Sequence, residues 1–356
     1  MILSSVSPQN FRNLAAAEIA FHPSVNIVVG RNGQGKTNLL EAVYFVATTK
    51  SFRTARVASV LRFHAPNVYV AGVLQRFGVE KALSVGLELG ETKRRVLMIN
   101  GERVALQAYV SAMSVLAYSS ARLEILRGAP EERRRFVDRG IAAVDPGYLE
   151  LVTRYGRVLR QRNALLHAGT TAGLDAWDEE FVTVGGEMQR ARAAYVEALT
   201  AELQSIVDEH AYHVRDVKLT YNPSVSDDRG RLRSAELRAR MSLTGPQRDT
   251  LDFTLEERPA AEVLSGGEQK MIVLFLKFAK LALFRRRFDE PAVFLLDDID
   301  AELDLEVLPK LLSRLPASTQ VFATSAKEAF LAALEAGPHR RLVIENGEVM
   351  AARDFA

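Results

Sequence analysis

The chain has 356 residues, 48% of them hydrophobic, so it can bury a sizeable interior and is long enough for two folding units. It contains no cysteine, which excludes disulfides and thiolate metal sites, and a net charge of +2 excludes nucleic-acid binding driven by total charge alone. Lys277 and Lys280 interrupt the best candidate for a membrane span, and Met1 to Pro8 lack the features of a secretory signal; no membrane partner and a cytoplasmic location are expected.

In chain order, residues 2 to 7 and 25 to 29 read as short strands. Val25-Asn26-Ile27-Val28-Val29 runs directly into Gly30-Arg31-Asn32-Gly33-Gln34-Gly35-Lys36-Thr37, a Walker A pattern in the strand-loop-helix setting it requires. Such a loop turns backbone N–H groups toward phosphate oxygens, brings a lysine to the β/γ charge and offers a threonine hydroxyl to magnesium. From Thr37 to Phe45 the apolar residues recur at helical spacing. Between about 57 and 118, segments such as Val68 to Val73 and Leu83 to Leu87 alternate as antiparallel strands do, with Asn100-Gly101 as a hairpin turn.

From about 121 to 240 the pattern is mainly helical, carried by Tyr148 to Leu166 and Glu187 to Glu209 around a Gly/Thr-rich linker at 168 to 174. This reads as an insertion, too short and too irregular in its apolar spacing for long heptad arms. A strand near Leu251 to Leu255 then precedes Leu264-Ser265-Gly266-Gly267-Glu268. A long helix follows from about 267 to 287, then a buried strand from Ala292 to Leu296 ending in Asp297-Asp298, and another strand from Gln320 to Thr324. The expected architecture is an α/β head with a mixed sheet, built from residues 1–120 and 241–356, with a mainly helical lobe at 121–240. Alone, Ser265 to Glu268 reads equally well as a serine cap with a glutamate in the first turn. Asp297-Asp298 could cap a helix, but the apolar run Val293 to Leu296 puts them at the carboxyl end of a buried strand, where α/β proteins bind ligands.

Taken jointly and in this order, the three elements resemble the ABC-type ATPase head. The resemblance implies an ATP-dependent homodimer in which each ATP lies between the Walker A loop of one copy and the Ser265 segment of the other. Gly30, Arg31, Asn32, Gly33, Gln34, Gly35, Lys36, Thr37 and Asn38 would then cradle ATP. Thr37 and Asp297 would hold Mg²⁺, and Asp298 would orient or deprotonate the attacking water. Ser265, with Gly266, Gly267 and Glu268, would reach the γ-phosphate from the second copy, and Asp304 matches the loop that crosses the dimer seam. Lys36, Asp298 and Ser265 are thus the expected catalytic residues. Many such heads carry glutamate where Asp298 stands, so slow turnover is expected. No histidine follows Thr324-Ser325, which argues against a transporter ATPase and leaves a hydroxyl in the switch position.

Further segments narrow the resemblance. Asn10-Phe11-Arg12-Asn13, the extension of the Walker A run to Ala42, Lys50-Ser51-Phe52-Arg53, Gly128-Ala129-Pro130 with Arg133-Arg134-Arg135-Phe136-Val137-Asp138, and Gly245-Pro246-Gln247-Arg248-Asp249 are together similar to the RecF family of bacterial DNA replication and repair proteins, over almost the whole chain. The family implies ATP-dependent binding to double-stranded DNA and to single-strand/double-strand junctions, and partnership with RecR and RecO in loading RecA. It also implies a nucleotide contact for Arg12, whose other reading is a structural salt bridge. Two positions depart from the family pattern: Tyr118 to Leu123 lacks the acidic, proline-containing version, and Gln247 replaces histidine. Between 122 and 162 ten arginines stand against six acids; Arg154, Arg157 and Arg160 recur at helical spacing and suit either a phosphate track or a solvated helix face, and Arg133 to Arg135 can instead pair with Glu131, Glu132 and Asp138. A small-molecule kinase would use the Walker A loop but leave Leu264 to Glu268 unexplained. A nucleotide-gated scaffold would keep the fold without catalysis.

Overall fold

A computed structural model describes residues 1–54, 56–90, 93–119, 123–209, 216–226, 229–298, 307–325, 332, 334–335 and 337–356. The chain forms two compact units, one of Met1–Arg122 with Lys270–Ala356 and one of Leu123–Gln269. The first unit begins with β1 (Ile2–Gln9), β2 (Ile19–Ala20), β3 (Val25–Val29), α1 (Lys36–Thr48), β4 (Asn67–Arg76), β5 (Val79–Leu89), β6 (Lys93–Ile99), β7 (Glu102–Arg103), α2 (Leu106–Ala112) and β8 (Val115–Ser119). The second holds α3 (Glu124–Arg127), α4 (Pro130–Val144), α5 (Tyr148–Ala168), α6 (Leu174–Glu209), β9 (Val217–Asn222), α7 (Arg229–Ala239), β10 (Thr250–Leu255), β11 (Arg258–Pro259) and α8 (Ala260–Val263). α9 (Gly266–Phe288) starts in the second unit and continues into the first, which resumes with β12 (Val293–Asp297), α10 (Val307–Ser313), β13 (Val321–Thr324), β14 (His339–Glu345) and β15 (Glu348–Phe355).

Two sheets build the first unit. One is antiparallel, in the order β2-β1-β4-β5-β6-β7. Its β6–β7 turn is Asn100-Gly101, both at positive φ, as a two-residue hairpin requires. The other runs β15-β14-β3-β13-β12-β8, parallel except for the antiparallel edge strand β15. α1 packs against strands of both sheets. Leu39, Leu40, Val43, Phe45 and Val46 are therefore buried around most of its circumference, and the helix needs no polar stripe. Every residue of β12 is buried, as expected for a parallel strand covered on both faces, and this strand delivers Asp297 to the sheet's carboxyl end.

In the second unit, α5 and α6 pair along their length, and β9, β10 and β11 form a small antiparallel sheet. This unit reaches Gln269, beyond residue 240, because β10 pairs with β9 instead of joining a sheet of the first unit. Its interior is polar at two points. Arg192, almost fully buried, donates to Asp138 (2.9 and 3.0 Å), Asp249 (2.8 Å) and the Pro246 carbonyl (2.6 Å). Arg162, also buried, binds Asp178 (2.7 Å), Glu236 (2.6 Å) and Ser242 (2.7 Å). Burial first, then the neighbouring Asp138 and Asp249, hold the Tyr148 and Tyr221 hydroxyls far above their ordinary pKa, so both remain donors to those carboxylates.

These contacts give the Arg133–Asp138 and Gly245–Asp249 segments a structural reason. Arg133 donates to the carbonyls of Leu126 (3.0 Å) and Leu251 (3.1 Å), and Arg134 to that of Asp249 (2.8 Å). Arg135 pairs with Glu131 and Glu132 one turn away. The arginine run thus ties α4 to β10.

Candidate nucleotide site

α1 begins behind Gly35, which stands at φ 119°; no side chain caps the helix and its first turn carries no acid. An uncapped start leaves the first-turn N–H groups, and the positive end of the helix dipole, to an anion. Lys36 is buried, with Nζ donating to the carbonyls of Gly30 (2.7 Å) and Arg31 (3.2 Å), so the loop already holds a cation at its centre. Thr37 Oγ1 donates to Asp297 Oδ1 at 2.8 Å. Thr324 donates to the same oxygen at 3.0 Å, and Ser119 to Oδ2 at 3.3 Å.

Burial pushes the Asp297 carboxyl above its usual pKa, and the hydroxyls of Thr37, Thr324 and Ser119 only partly oppose that. A carboxyl with a raised folded pKa binds its proton more tightly folded than unfolded, so its contribution to stability falls as pH climbs above the ordinary carboxylate range. The ionised group is therefore a destabilising element that a cation would relieve. A threonine hydroxyl and a carboxylate are hard oxygen donors that suit Mg²⁺. Among the described residues no group of three His, Asp or Glu could hold a metal alone, so the remaining ligands would be phosphate oxygens and water.

Asp298 is exposed and left-handed at φ 57°, a conformation Asp tolerates, and its N–H donates to Thr324 Oγ1 at 2.8 Å. The Thr324 hydroxyl therefore serves both acids. Buried Ser325 instead borders an open cleft of about 790 Å³ whose lining includes Gly30, Arg31, Asn32, Arg341 and Arg353. The last two arginines carry no motif and were not legible in the sequence.

Ser265 to Glu268 belong to the second unit. The Ser265 N–H donates to Glu268 (2.7 Å) and the Glu268 N–H to Ser265 Oγ (3.3 Å), a reciprocal capping box. Gln269, which follows, donates to the carbonyls of Ala261 (3.1 Å) and Leu264 (2.8 Å) and accepts from Arg127 (2.5 Å), bracing the loop while Ser265 and Gly266 stay exposed. Asp304 lies outside the described residues.

The Walker A loop has a support that its own sequence does not announce. Asn346 N–H donates to Gln34 Oε1 (2.6 Å), Gly347 N–H to the Gln34 carbonyl (2.8 Å), and Asn13 bridges to Asn38 (2.7 Å). The β14–β15 turn therefore clamps the loop from the far end of the chain. Gly347 has φ 84°, and a Cβ there would fall 2.0 Å from the Asn13 carbonyl oxygen. Gly347→Ala is expected to cost roughly 1–3 kcal/mol or more and to weaken nucleotide binding. An unchanged melting temperature together with unchanged ATP affinity would remove this clamp from the account.

Glu41, fully buried on α1, gathers two of the family segments. Arg12 grips it with two bonds of 2.9 Å, Ser51 donates at 2.5 Å and Arg53 reaches it at 3.4 Å while also bonding Asn38 at 2.7 Å. Phe52 packs edge-on against Tyr44. The structure thus shows Arg12 in an ion pair, and any nucleotide contact would have to share that guanidinium.

The family model for the RecF/RecN/SMC N terminal domain matches residues 2–340. A DNA replication and repair protein RecF from Geotalea daltonii is 33% identical over 98% of this chain and 100% of its own length. The chain belongs to the RecF family. Another RecF, from Synechococcus sp., is 34% identical over 91% of each chain. Among solved structures, the recombination mediator protein RecF with ATP, from the RecFOR pathway, superposes with a TM-score of 0.85 at 24% identity, covering 100% of this chain and 98% of that one. An Smc head bound to the C-winged helix domain of ScpA gives 0.57 at 16% identity, over 100% and 98%. At those identities the likeness shows a shared fold, the α/β ATPase head of RecF and SMC proteins. No helix among the described residues is long and apolar enough to cross a membrane.

Proposed function

We propose that this RecF-family chain is an ATP-switched DNA-binding protein of replication and recombinational repair. The observation that carries this is the convergence of Lys36, Thr37 and Asp297 at the uncapped start of α1, in a chain whose relatives are named for DNA replication and repair. The loop would hold the phosphates of ATP, with Lys36 exchanging the Gly30 and Arg31 carbonyls for them, and Thr37 and Asp297 would hold Mg²⁺, which would neutralise phosphate charge there. Ser265 of a second copy then completes the site. Because ATP touches both copies only in the closed pair, it favours that state by differential binding. The closed pair holds double-stranded DNA near gaps or junctions, and hydrolysis directed by Asp298 releases it. Family membership supports action with RecO and RecR in loading RecA.

The direct test measures dimerisation and binding to duplex, single-stranded and junction DNA, each with ATP, ADP and no nucleotide. Duplex and junction binding that rises only with ATP supports the proposal; nucleotide-independent binding contradicts it. Turnover is expected to be slow, because the Asp298 carboxylate is one methylene shorter than the glutamate of many such heads. A steady-state rate of tens per second would count against that role.

Asp297→Asn offers a separation of stability from function. Its Oδ1 can still accept from Thr37 and Thr324, and its amide can donate to Ser119, while the desolvated charge is gone. Without nucleotide the variant should melt at or above the wild-type temperature, yet fail to hydrolyse MgATP. A variant that melts lower would show that the carboxylate stabilises the fold.

A further inference from the structure

The arginines between 122 and 162 are largely committed inside the second unit: Arg133, Arg134 and Arg162 point into it, and Arg135 and Arg154 sit in ion pairs. Exposed guanidinium groups lie elsewhere in that unit. Residues 229–248 contain six arginines, no lysine and one acid. That acid, Glu236, is fully buried and held by Arg162 (2.6 Å) and the Leu243 N–H (2.9 Å), so it neutralises nothing at the surface. Arg233 pairs with Asp175 and Asp178. Arg238, Arg240 and Arg248 are exposed and pair with no carboxylate among the described residues; the Arg248 guanidinium donates to the Met241 sulfur, at 3.2 Å.

The segment is rigidly mounted. Ser242 bonds Arg162 (2.7 Å) and Asn163 (2.9 and 2.7 Å), and Gln247 bonds the Tyr155 hydroxyl, so the chain after α7 runs back along α5 from Asn163 to Tyr155. Arg160, exposed and without a carboxylate partner among the described residues, stands three residues before Asn163 on the same flank of α5.

We propose that Arg160, Arg238, Arg240 and Arg248 form the strip on which the second unit takes the phosphate backbone of a nucleic-acid duplex. Planar guanidinium forks match phosphate oxygens, and such contacts position a duplex without reading its sequence. Residues 229–248 contain no aromatic side chain on which unpaired bases could stack, which favours duplex over single strand. The proposal rests on the DNA-binding reading above and places its contact.

The test compares full-length wild type with the triple variant Arg238→Ala, Arg240→Ala, Arg248→Ala, by anisotropy of a short labelled duplex with ATP over a range of salt. Each lost phosphate contact lowers the slope of log affinity against log salt by about 0.9, so the slope should fall by about 2–3 and low-salt affinity by at least about tenfold. ATP binding should be unchanged, and the urea transition of the second unit, which carries all three positions, should keep its wild-type midpoint, showing that the variant is folded. The Arg→Lys triple should keep the slope. Arg94→Ala, Arg103→Ala, Arg258→Ala, an equal loss of exposed charge elsewhere, should leave affinity within about twofold. Equal weakening by both alanine triples, or wild-type binding by the first, overturns this strip and leaves the proposed function standing. Failure of the wild type itself to bind duplex with ATP brings down that function and this inference together.

Discussion

Lys36→Met is expected to abolish ATP binding and the ATP-dependent dimer, whereas Ser265→Arg is expected to retain ATP binding and lose only the dimer. The lysine is buried, and its Nζ lies within 2.7 Å of the Gly30 carbonyl, where the β/γ-phosphates would approach. Charge-assisted hydrogen bonds contribute about 1.5–3 kcal/mol each, so losing two weakens ATP by at least about a hundredfold. Ser265 belongs to the other unit and takes no part in the contacts around Lys36 and Asp297. Arginine there removes a helix cap worth about 1 kcal/mol and fills with a bulky cation the space where a partner's γ-phosphate should arrive. A fluorescent ATP analogue reports the first property and sedimentation velocity the second. If both variants lost ATP equally, the division of labour between the two glycine-rich segments would be wrong.

Asp249→Ala is expected to destabilise the second unit by about 3–5 kcal/mol, because it strips a buried Arg192 of one carboxylate without removing the charge. Asp249 is fully buried and also accepts from Gln189 (2.8 Å), the Ser224 N–H (2.8 Å) and the Tyr221 hydroxyl, so several donors lose their partner together. Asp354→Ala makes the contrast: Asp354 is also paired with an arginine, Arg340, and through two bonds, but is exposed on an edge strand, so its loss should change stability little. Urea unfolding followed by circular dichroism checks both, with the early transition of Asp249→Ala assigned to the second unit. Similar small shifts for the two variants would mean that burial does not set the strength of these pairs.

What the sequence showed and what it hid follow from how far apart the interacting residues lie. The Walker A loop, β3 before it and α1 after it are contiguous, and Asp297 is announced by the apolar run of β12, so local pattern sufficed. The capping box at Ser265 was equally legible, being complete within four residues. The clamp on Gln34 joins residues 312 positions apart, and neither Asn346 nor Gly347 carries any local sign of it. The Arg133–Arg135 run was legible only in part, through the pairing of Arg135 with Glu131 and Glu132, for a different reason. Charge density is visible in a sequence, but the direction of a guanidinium is not, and here two of the three turn inward to carbonyls of β10 and the residue before it. Gln269 and Glu41 were likewise ordinary letters until their partners were placed around them.

The central claim is that one ATP is shared by two copies, and mixing the two variants tests it most directly. Lys36→Met keeps its Ser265 segment and Ser265→Arg keeps its Walker A loop, so a mixed pair contains one intact composite site. ATP hydrolysis by the mixture should exceed that of either variant alone, which should be near zero. Full hydrolysis by Ser265→Arg on its own, as a monomer, would contradict the account.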